Sequence, residues 1–162
     1  MAYADYTFYT ASYYGDVLSQ TNAPKWLDRA SDALDALTFG RLISAFPIDE
    51  THVLKVKKAV CAVAEALFNI DAQKQAASAQ KAADGTYRGA IASISSGRES
   101  ISYSGGNVSA SVYAAAAAST GAQNELLGSI AVQYLANIPD ANGVNLLYAG
   151  GCAHVQQHDN AV

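Results

Sequence analysis

The side chains best suited to chemistry lie close together near the C-terminal end of the chain. Cys152, His154, His158 and Asp159 are all residue types that bind zinc. A zinc site of ordinary spacing has a second pair of ligands upstream, whereas two glycines precede this cluster. The spacing therefore predicts no metal site and no cofactor, and an enzyme that uses these side chains is only a weak alternative.

Two further candidates have simpler interpretations. Asp28, Asp32 and Asp35 share one face of a predicted helix, as ligands of a divalent cation would, but Arg29 is adjacent and a solvated acidic face explains them. His52 begins a long predicted helix without a partner, which favours a surface histidine over a general base. The chain also has no phosphate loop, dinucleotide fingerprint, zinc-protease motif or nucleophile elbow, so we predict no catalytic residue and no enzyme.

Charge is distributed unevenly along the 162 residues. The chain carries 10 basic and 14 acidic side chains, yet only Glu125, Asp140 and Asp159 are charged after Glu99. A segment with so few charges is expected either to be covered by a partner or to present the hydroxyl-rich surface of a monomer. The basic residues are spread along the first 98 positions without a basic block, so tight phosphate binding is not expected, although DNA could slide past.

Cysteine usage and the N-terminal sequence indicate a cellular compartment. Cys61 and Cys152 are far apart, and we expect both to be reduced, as in a protein made in the cytosol. The first residues lack a basic region followed by an apolar one, and no run reaches about 18 consecutive apolar residues. Secretion and membrane insertion are therefore both disfavoured.

Two helices are predicted in the first 40 residues. Asp5 to Tyr14 is a short aromatic segment that we expect to form a helix ending at Gly15. Pro24 is suited to the first turn of a second helix, which Gly40 should end. One apolar stripe runs along this second helix, comprising Trp26, Leu27, Ala30, Ala33, Leu34 and Leu37.

The longest helical pattern follows Pro47, with Asp49 or Thr51 as its cap. Its packing seam has apolar residues every three or four positions, namely Val53, Val56, Val60, Val63, Leu67 and Ile70. A helix from Thr51 to Ala82 would be about 48 Å long. Its alanine-rich second half is therefore expected to project, to pack on a neighbour, or to fray.

A β-hairpin is predicted near residues 91–104, with Gly97 in its turn and with Ile101 and Tyr103 on one face. An isolated hairpin is only marginally stable in water, so this one needs support from the helices or from another subunit. After it, Ser109 to Ser119 either extends the next helix or is loosely ordered, and Thr120 to Asn137 forms the last long helix before Pro139.

These patterns predict a mainly α fold, a small bundle of about four helices with one β-hairpin inserted before the last long helix. We expect a single domain over residues 1–150, followed by a flexible C-terminal tail at 151–162.

Several segments, in order, resemble the head-tail connector proteins (adaptor or head-completion proteins) of tailed bacteriophages. They are the opening MAYADYTFYTASYYG, RASDALDALTFGRL at 29–42, SISSGRESISYS at 93–104, and LLGSIAVQYLAN at 126–137 followed by GVNLLYAGG. The alanine run after Val112 and the polar tail depart from the family pattern.

The resemblance implies a structural virion protein without enzymatic activity. Members of this family form a ring, commonly of twelve copies, under the portal, where the ring extends the DNA channel and joins capsid to tail. The implied partners are further copies of the chain, the portal protein, a downstream stopper or tail-completion protein, and passing genomic DNA that is not bound sequence-specifically. No membrane partner is implied, and the implied location is the capsid-tail junction of a virion made in the bacterial cytoplasm.

Two sets of contact residues follow as hypotheses. The hairpin is expected to contact a neighbouring subunit or the channel through Arg98, Glu99, Ile101 and Tyr103. The portal-facing surface is expected to include Leu146, Leu147 and Tyr148. The alternative is a small helical binding or regulatory module without a virion role.

Overall fold

A computed structural model describes residues 2–77, the backbone of four short strand segments at 80–81, 87–88, 93–96 and 99–102, and residues 111–149. Six helices lie within these residues: α1 (Tyr6–Ala11), α2 (Ala23–Leu37), α3 (Arg41–Ser44), α4 (Glu50–Ala77), α5 (Val112–Ala118) and α6 (Thr120–Leu135). The mainly α class that the sequence predicts is therefore confirmed.

Helix α4 lies at the centre of the bundle and packs against α2, α5 and α6. Its seam residues Val56, Val60, Val63 and Ile70 are buried, as predicted. Small residues on its other faces are buried too, namely Ala59, Cys61, Ala64 and Ala66. A helix covered on most sides is expected at the middle of a core rather than at its surface.

The second half of α4 packs within its own chain. Ile70 is buried, and Lys74 Nζ donates to Gln123 Oε1 of α6 at 2.9 Å. The expectation that this half projects is therefore wrong as far as Lys74, because α6 covers it. With 28 residues, the helix is about 42 Å long at 1.5 Å per residue.

Most predicted helix ends agree with the structure. Asn22 lies at the N-cap position of α2, where its side chain makes no capping hydrogen bond, and Pro24 lies in the first turn. Asp49 accepts backbone hydrogen bonds from Thr51 and His52 at 2.9 and 3.1 Å, so Asp49 caps α4. These bonds, that from His52 first, hold the pKa of the exposed Asp49 carboxyl below its usual value.

The alanine-rich run forms a helix of its own. Ser111 Oγ accepts from the Tyr113 N–H at the start of α5, and Ser119 takes an extended conformation between α5 and α6. Serine favours helix ends because its hydroxyl competes for backbone groups. This break and the short α3, which the sequence did not predict, raise the number of described helices above the expected four.

Between α4 and α5 the described backbone contains two antiparallel strand pairs, β1 (Gln80–Lys81) with β2 (Tyr87–Arg88), and β3 (Ser93–Ser96) with β4 (Glu99–Ser102). In the second pair Ile94 lies opposite Ile101. This pair falls where the sequence predicts a hairpin.

Candidate functional site

Two segments that are far apart in the sequence meet at one corner of the bundle. One is the turn between α2 and α3, and the other is the loop of residues 136–149 after α6. We call this site the Arg41 corner and define it by Phe39, Arg41, Ile43, Asp140 and Tyr148.

The turn from α2 to α3 places an aromatic side chain in solvent. Phe39 and Gly40 both have left-handed backbone conformations, with φ of 55° and 73°, and the Gly40 N–H donates to the Asp35 carbonyl at 2.8 Å. Such a conformation suits glycine but is strained for a bulky residue, at roughly 1 kcal/mol or more. Phe39 is nevertheless 61% exposed, so burial of its ring does not offset this strain within the chain.

Asp140 organises the loop after α6. Its Oδ1 atom accepts hydrogen bonds from the backbone N–H groups of Asn142 and Val144 at 2.8 and 2.9 Å. Gly143 has a φ of 81°, which closes the turn between them. The loop is also fastened to the α3 segment, because the Ala141 N–H donates to the Ala45 carbonyl at 3.1 Å.

Arg41 joins the two segments. Its Nε and Nη2 atoms donate to the Tyr148 carbonyl oxygen at 3.2 and 3.1 Å, and Nη1 lies 3.6 Å from Asp140 Oδ2. The guanidinium carbon also lies 6.0 Å from the centre of the Tyr148 ring. Because the planar guanidinium offers several donors in fixed directions, one side chain holds the loop and orients Tyr148.

The predicted portal-facing residues have different environments. Leu146 is fully buried in the core, and its N–H donates to the Ile138 carbonyl at 2.8 Å. Its assignment to a portal-facing surface is therefore wrong, because it has no surface to present. Leu147 is partly buried against the core, whereas Tyr148 is 54% exposed.

The predicted hairpin contacts are only partly within the described chain. Glu99 and Ile101 lie in β4, of which only the backbone is described. Arg98 and Tyr103 lie outside the described residues, as do the Cys152–Asp159 cluster and the tail. These predictions stay predictions.

Sequence reasoning missed Phe39, Arg41 and Ile43. Two of these side chains are large, apolar and exposed, Phe39 at 61% and Ile43 at 72%. The available signal was an aromatic residue directly before a helix-ending glycine, followed by a single arginine in an apolar stretch. Asp140 carried a similar signal as one of three charges after Glu99, and the structure explains it as the partner of Arg41.

A second polar cluster fastens the aromatic N-terminal segment to α4. The Tyr9 hydroxyl donates to Glu65 Oε1 at 2.7 Å and accepts from the N–H groups of Val17 and Leu18, both at 3.0 Å. Burial first, and then the hydrogen bond to Glu65, raise the pKa of Tyr9 to about 12. Gly15 is required here because a Cβ atom would collide with the Tyr9 ring.

Asp35 and His52, two of the remaining candidates for chemistry, have structural partners. Asp35 accepts from the Tyr3 hydroxyl at 2.6 Å, and His52 Nδ1 lies 3.9 Å from Asp49 Oδ1. Among the described residues, no three potential metal-ligating side chains come together. Burial, followed by the negative charge of Glu65, raises the pKa of Cys61 to about 12, which holds this thiol protonated and unreactive.

Comparison with protein-family models, curated proteins and solved structures finds no match for this chain. In the part of the chain that the structure describes, no helix combines the length and apolar character needed to span a membrane. The Arg41 corner presents an apolar surface with aromatic side chains, which is suited to contact with another protein.

Proposed function

We propose that the protein is a head-tail connector of a tailed bacteriophage, a non-enzymatic virion protein that binds the portal through the Arg41 corner. One observation carries the proposal. Two of the segments that resemble the connector family, at 29–42 and from Gly143 onward, are held together by Arg41. The corner that they form leaves Phe39, Ile43 and Tyr148 exposed.

Large exposed apolar side chains in one region are typical of protein interaction sites. Arg41 already holds the backbone carbonyl of Tyr148, so less conformational entropy is lost when the Tyr148 ring contacts a partner. Phe39 and Tyr148 are thus the expected anchors, with Ile43 beside them.

The proposal includes the assembled ring. Copies of the chain, commonly twelve, would lie under the portal at the capsid-tail junction, extend the DNA channel and receive a stopper or tail-completion protein. The net charge of −4 supports passage of genomic DNA, because an acidic surface does not retain phosphate. We also propose that the hairpin around β3 and β4 contacts a neighbouring subunit or the channel.

The test is binding to the portal protein of the phage that carries this gene. Phe39→Ala is expected to abolish co-purification with portal rings, because it removes an anchor without removing core contacts. The matched control is Tyr14→Ala, since Tyr14 is also an exposed aromatic residue, at 82%, with a left-handed φ of 62°. Equal binding by wild type and Phe39→Ala would contradict the proposed site, and no binding by wild type would contradict the function.

The alternative function is a small helical binding or regulatory module without a virion role. The buried core around α4 favours this alternative, because a chain with its own core can fold without assembling into a ring. This alternative predicts a monomer or dimer both alone and with portal, and no copy of the chain in purified virions. Mass measurement with and without portal separates the two functions.

A further inference from the structure

A groove of about 580 Å³ lies beside the Arg41 corner, between the N-terminal segment, α2 and α3. Its walls are mostly apolar, and two carboxylates lie along α2. We call it the acidic groove; its main lining residues are Tyr3, Asp32, Asp35, Leu42, Ile43 and Phe46.

The two carboxylates give the groove a negative potential. Asp35 is half-buried and accepts from the Tyr3 hydroxyl, whereas Asp32 is exposed. The pKa of Tyr3 lies above its usual value, first because of burial and then because of Asp35 and Asp32. No ion pair between described residues uses Asp32, so its charge is available to a partner.

An exposed edge of α4 has the opposite charge. Lys55 and Lys58 are one turn apart on the side of the helix opposite the buried Val56 and Val60. Neither lysine takes part in an ion pair between described residues. Leu54, on the same side, is 40% exposed, so this edge combines cations with apolar surface. We call it the basic edge.

We propose that the acidic groove of one copy of the chain receives the basic edge of a second copy. The contact joins different surfaces of the two copies, Asp32 and Asp35 on one and Lys55 and Lys58 on the other. Such a head-to-tail contact leaves each copy with one unused surface, so it builds a ring or a filament rather than a closed dimer. The inference rests on the proposed function in that a connector ring needs such a contact.

A second copy fits this groove better than an unrelated ligand for two reasons. The lining of the groove includes no residue of α4, so one molecule can use its groove and its basic edge at the same time. The charges are complementary, and each set has an apolar neighbour, Phe46 at the groove and Leu54 at the edge. Complementary charge selects the partner and its orientation, while apolar burial supplies affinity.

The experiment is a charge exchange followed by sedimentation equilibrium. Self-association of the wild type is measured up to about 1 mM protein, in about 10 mM and about 500 mM salt, because the Debye length shortens several-fold over this range. We expect association at low salt that weakens at least about tenfold at high salt. Asp32→Lys alone and Lys55→Glu alone are each expected to be monomeric, since like charges then meet.

The decisive sample is an equal mixture of the two variants. Each variant keeps one native surface, and the two altered surfaces complement each other, so every contact in an alternating assembly is favourable. We therefore expect the mixture to regain association to within about threefold of the wild type. Asp16→Lys and Lys25→Glu carry the same charge changes at residues that belong to neither surface and are the controls. Circular dichroism verifies that every variant folds.

Several results would overturn the inference: a wild type that stays monomeric at low salt, a mixture that does not associate, or controls that weaken association equally. A chain that passes this test but does not bind portal supports the inference and contradicts the connector function. If the chain binds portal and both single variants assemble on portal like the wild type, the connector function is supported and the inference is contradicted.

Discussion

Tyr9 and Tyr148 are both tyrosines with several polar contacts, but they use these contacts in opposite ways. The ring of Tyr9 is fully buried, and its hydroxyl is saturated by Glu65 and two backbone N–H groups. Tyr148 is more than half exposed, and Arg41 holds its backbone carbonyl rather than its hydroxyl.

Tyr9 is therefore a residue that stabilises the fold, whereas Tyr148 is held at the surface, where a partner can contact it. At Tyr9, the hydroxyl is held by Glu65 and two backbone N–H groups, and the ring itself keeps no exposed surface. At the Arg41 corner, polar groups are used to fix the backbone, and the apolar rings point outward. Aromatic content alone therefore does not identify an interface; what matters is which atoms the local hydrogen bonds hold.

The largest expected effect concerns the buried base of the corner. Leu146→Ala should lower the free energy of unfolding by about 3 kcal/mol, because it removes a fully buried side chain and leaves a cavity. Tyr148→Ala, two residues away, should change it by about 1 kcal/mol or less, because the ring is more than half exposed and its contact with the Arg41 guanidinium is of that size. Urea unfolding of both variants measures the difference. Similar free energies of unfolding would contradict the distinction between a buried Leu146 and an exposed Tyr148.

The next effect concerns the Tyr9 hydroxyl. Tyr9→Phe should cost about 2 kcal/mol of unfolding free energy, because the N–H of the buried Leu18 and the Glu65 carboxylate both lose a partner. Tyr13→Phe is the control, since the Tyr13 hydroxyl lies a longer 3.4 Å from Glu65 Oε2, and it should cost less. A larger loss for Tyr13→Phe would show that Tyr9 is not the main attachment of the N-terminal segment.

Much of the fold could be predicted from local patterns. The stripe on α2 and the seam on α4 repeat every three or four residues, and Pro24 and Asp49 mark helix starts. These features are local, so their physical causes lie within one or two turns of sequence. The four-residue α3 was missed because so short a helix has no periodicity of its own.

The candidate site was less predictable because its contacts span more than 90 residues. Arg41 and Asp140 pair across a sequence separation that no spacing rule covers, and Leu146 was placed at the surface although it is buried. Within the segment Leu146 to Tyr148, a run of apolar residues gives no period that says which one faces the core. Only the direction of the loop, fixed by Asp140, decides that Tyr148 rather than Leu146 is exposed.

A smaller effect is expected from loss of Arg41. Arg41→Ala should lower the free energy of unfolding by about 1.5 kcal/mol, since the buried Asp140 carboxylate loses its cation and the Tyr148 carbonyl loses two donors. Arg41→Lys keeps the charge but not the planar fork, so it should recover only part of this loss. If Arg41→Ala unfolds like the wild type, Tyr148 is oriented by something other than Arg41, and the comparison with Tyr9 fails.

The smallest expected effect appears only in alkali. Tyr9 ionises near pH 10 in an unfolded chain but near pH 12 in the folded protein. Above pH 10 the unfolded state therefore binds fewer protons, so stability is fully present below pH 10 and is lost as the pH rises toward 12. We expect Tyr9 to contribute a loss of roughly 1 kcal/mol over this range, after allowance for solvent screening.

The buried Cys61 thiol, with its pKa also near 12, gives a loss of the same sign that begins at lower pH. Thermal unfolding of Tyr9→Phe and Cys61→Ala from pH 8 to 12 isolates the two, because each variant should show a shallower decline than the wild type. An identical decline in Tyr9→Phe would mean that the Tyr9 hydroxyl ionises as readily in the folded protein as in the unfolded chain, and its contacts with Glu65 and the backbone would then not stabilise its protonated form.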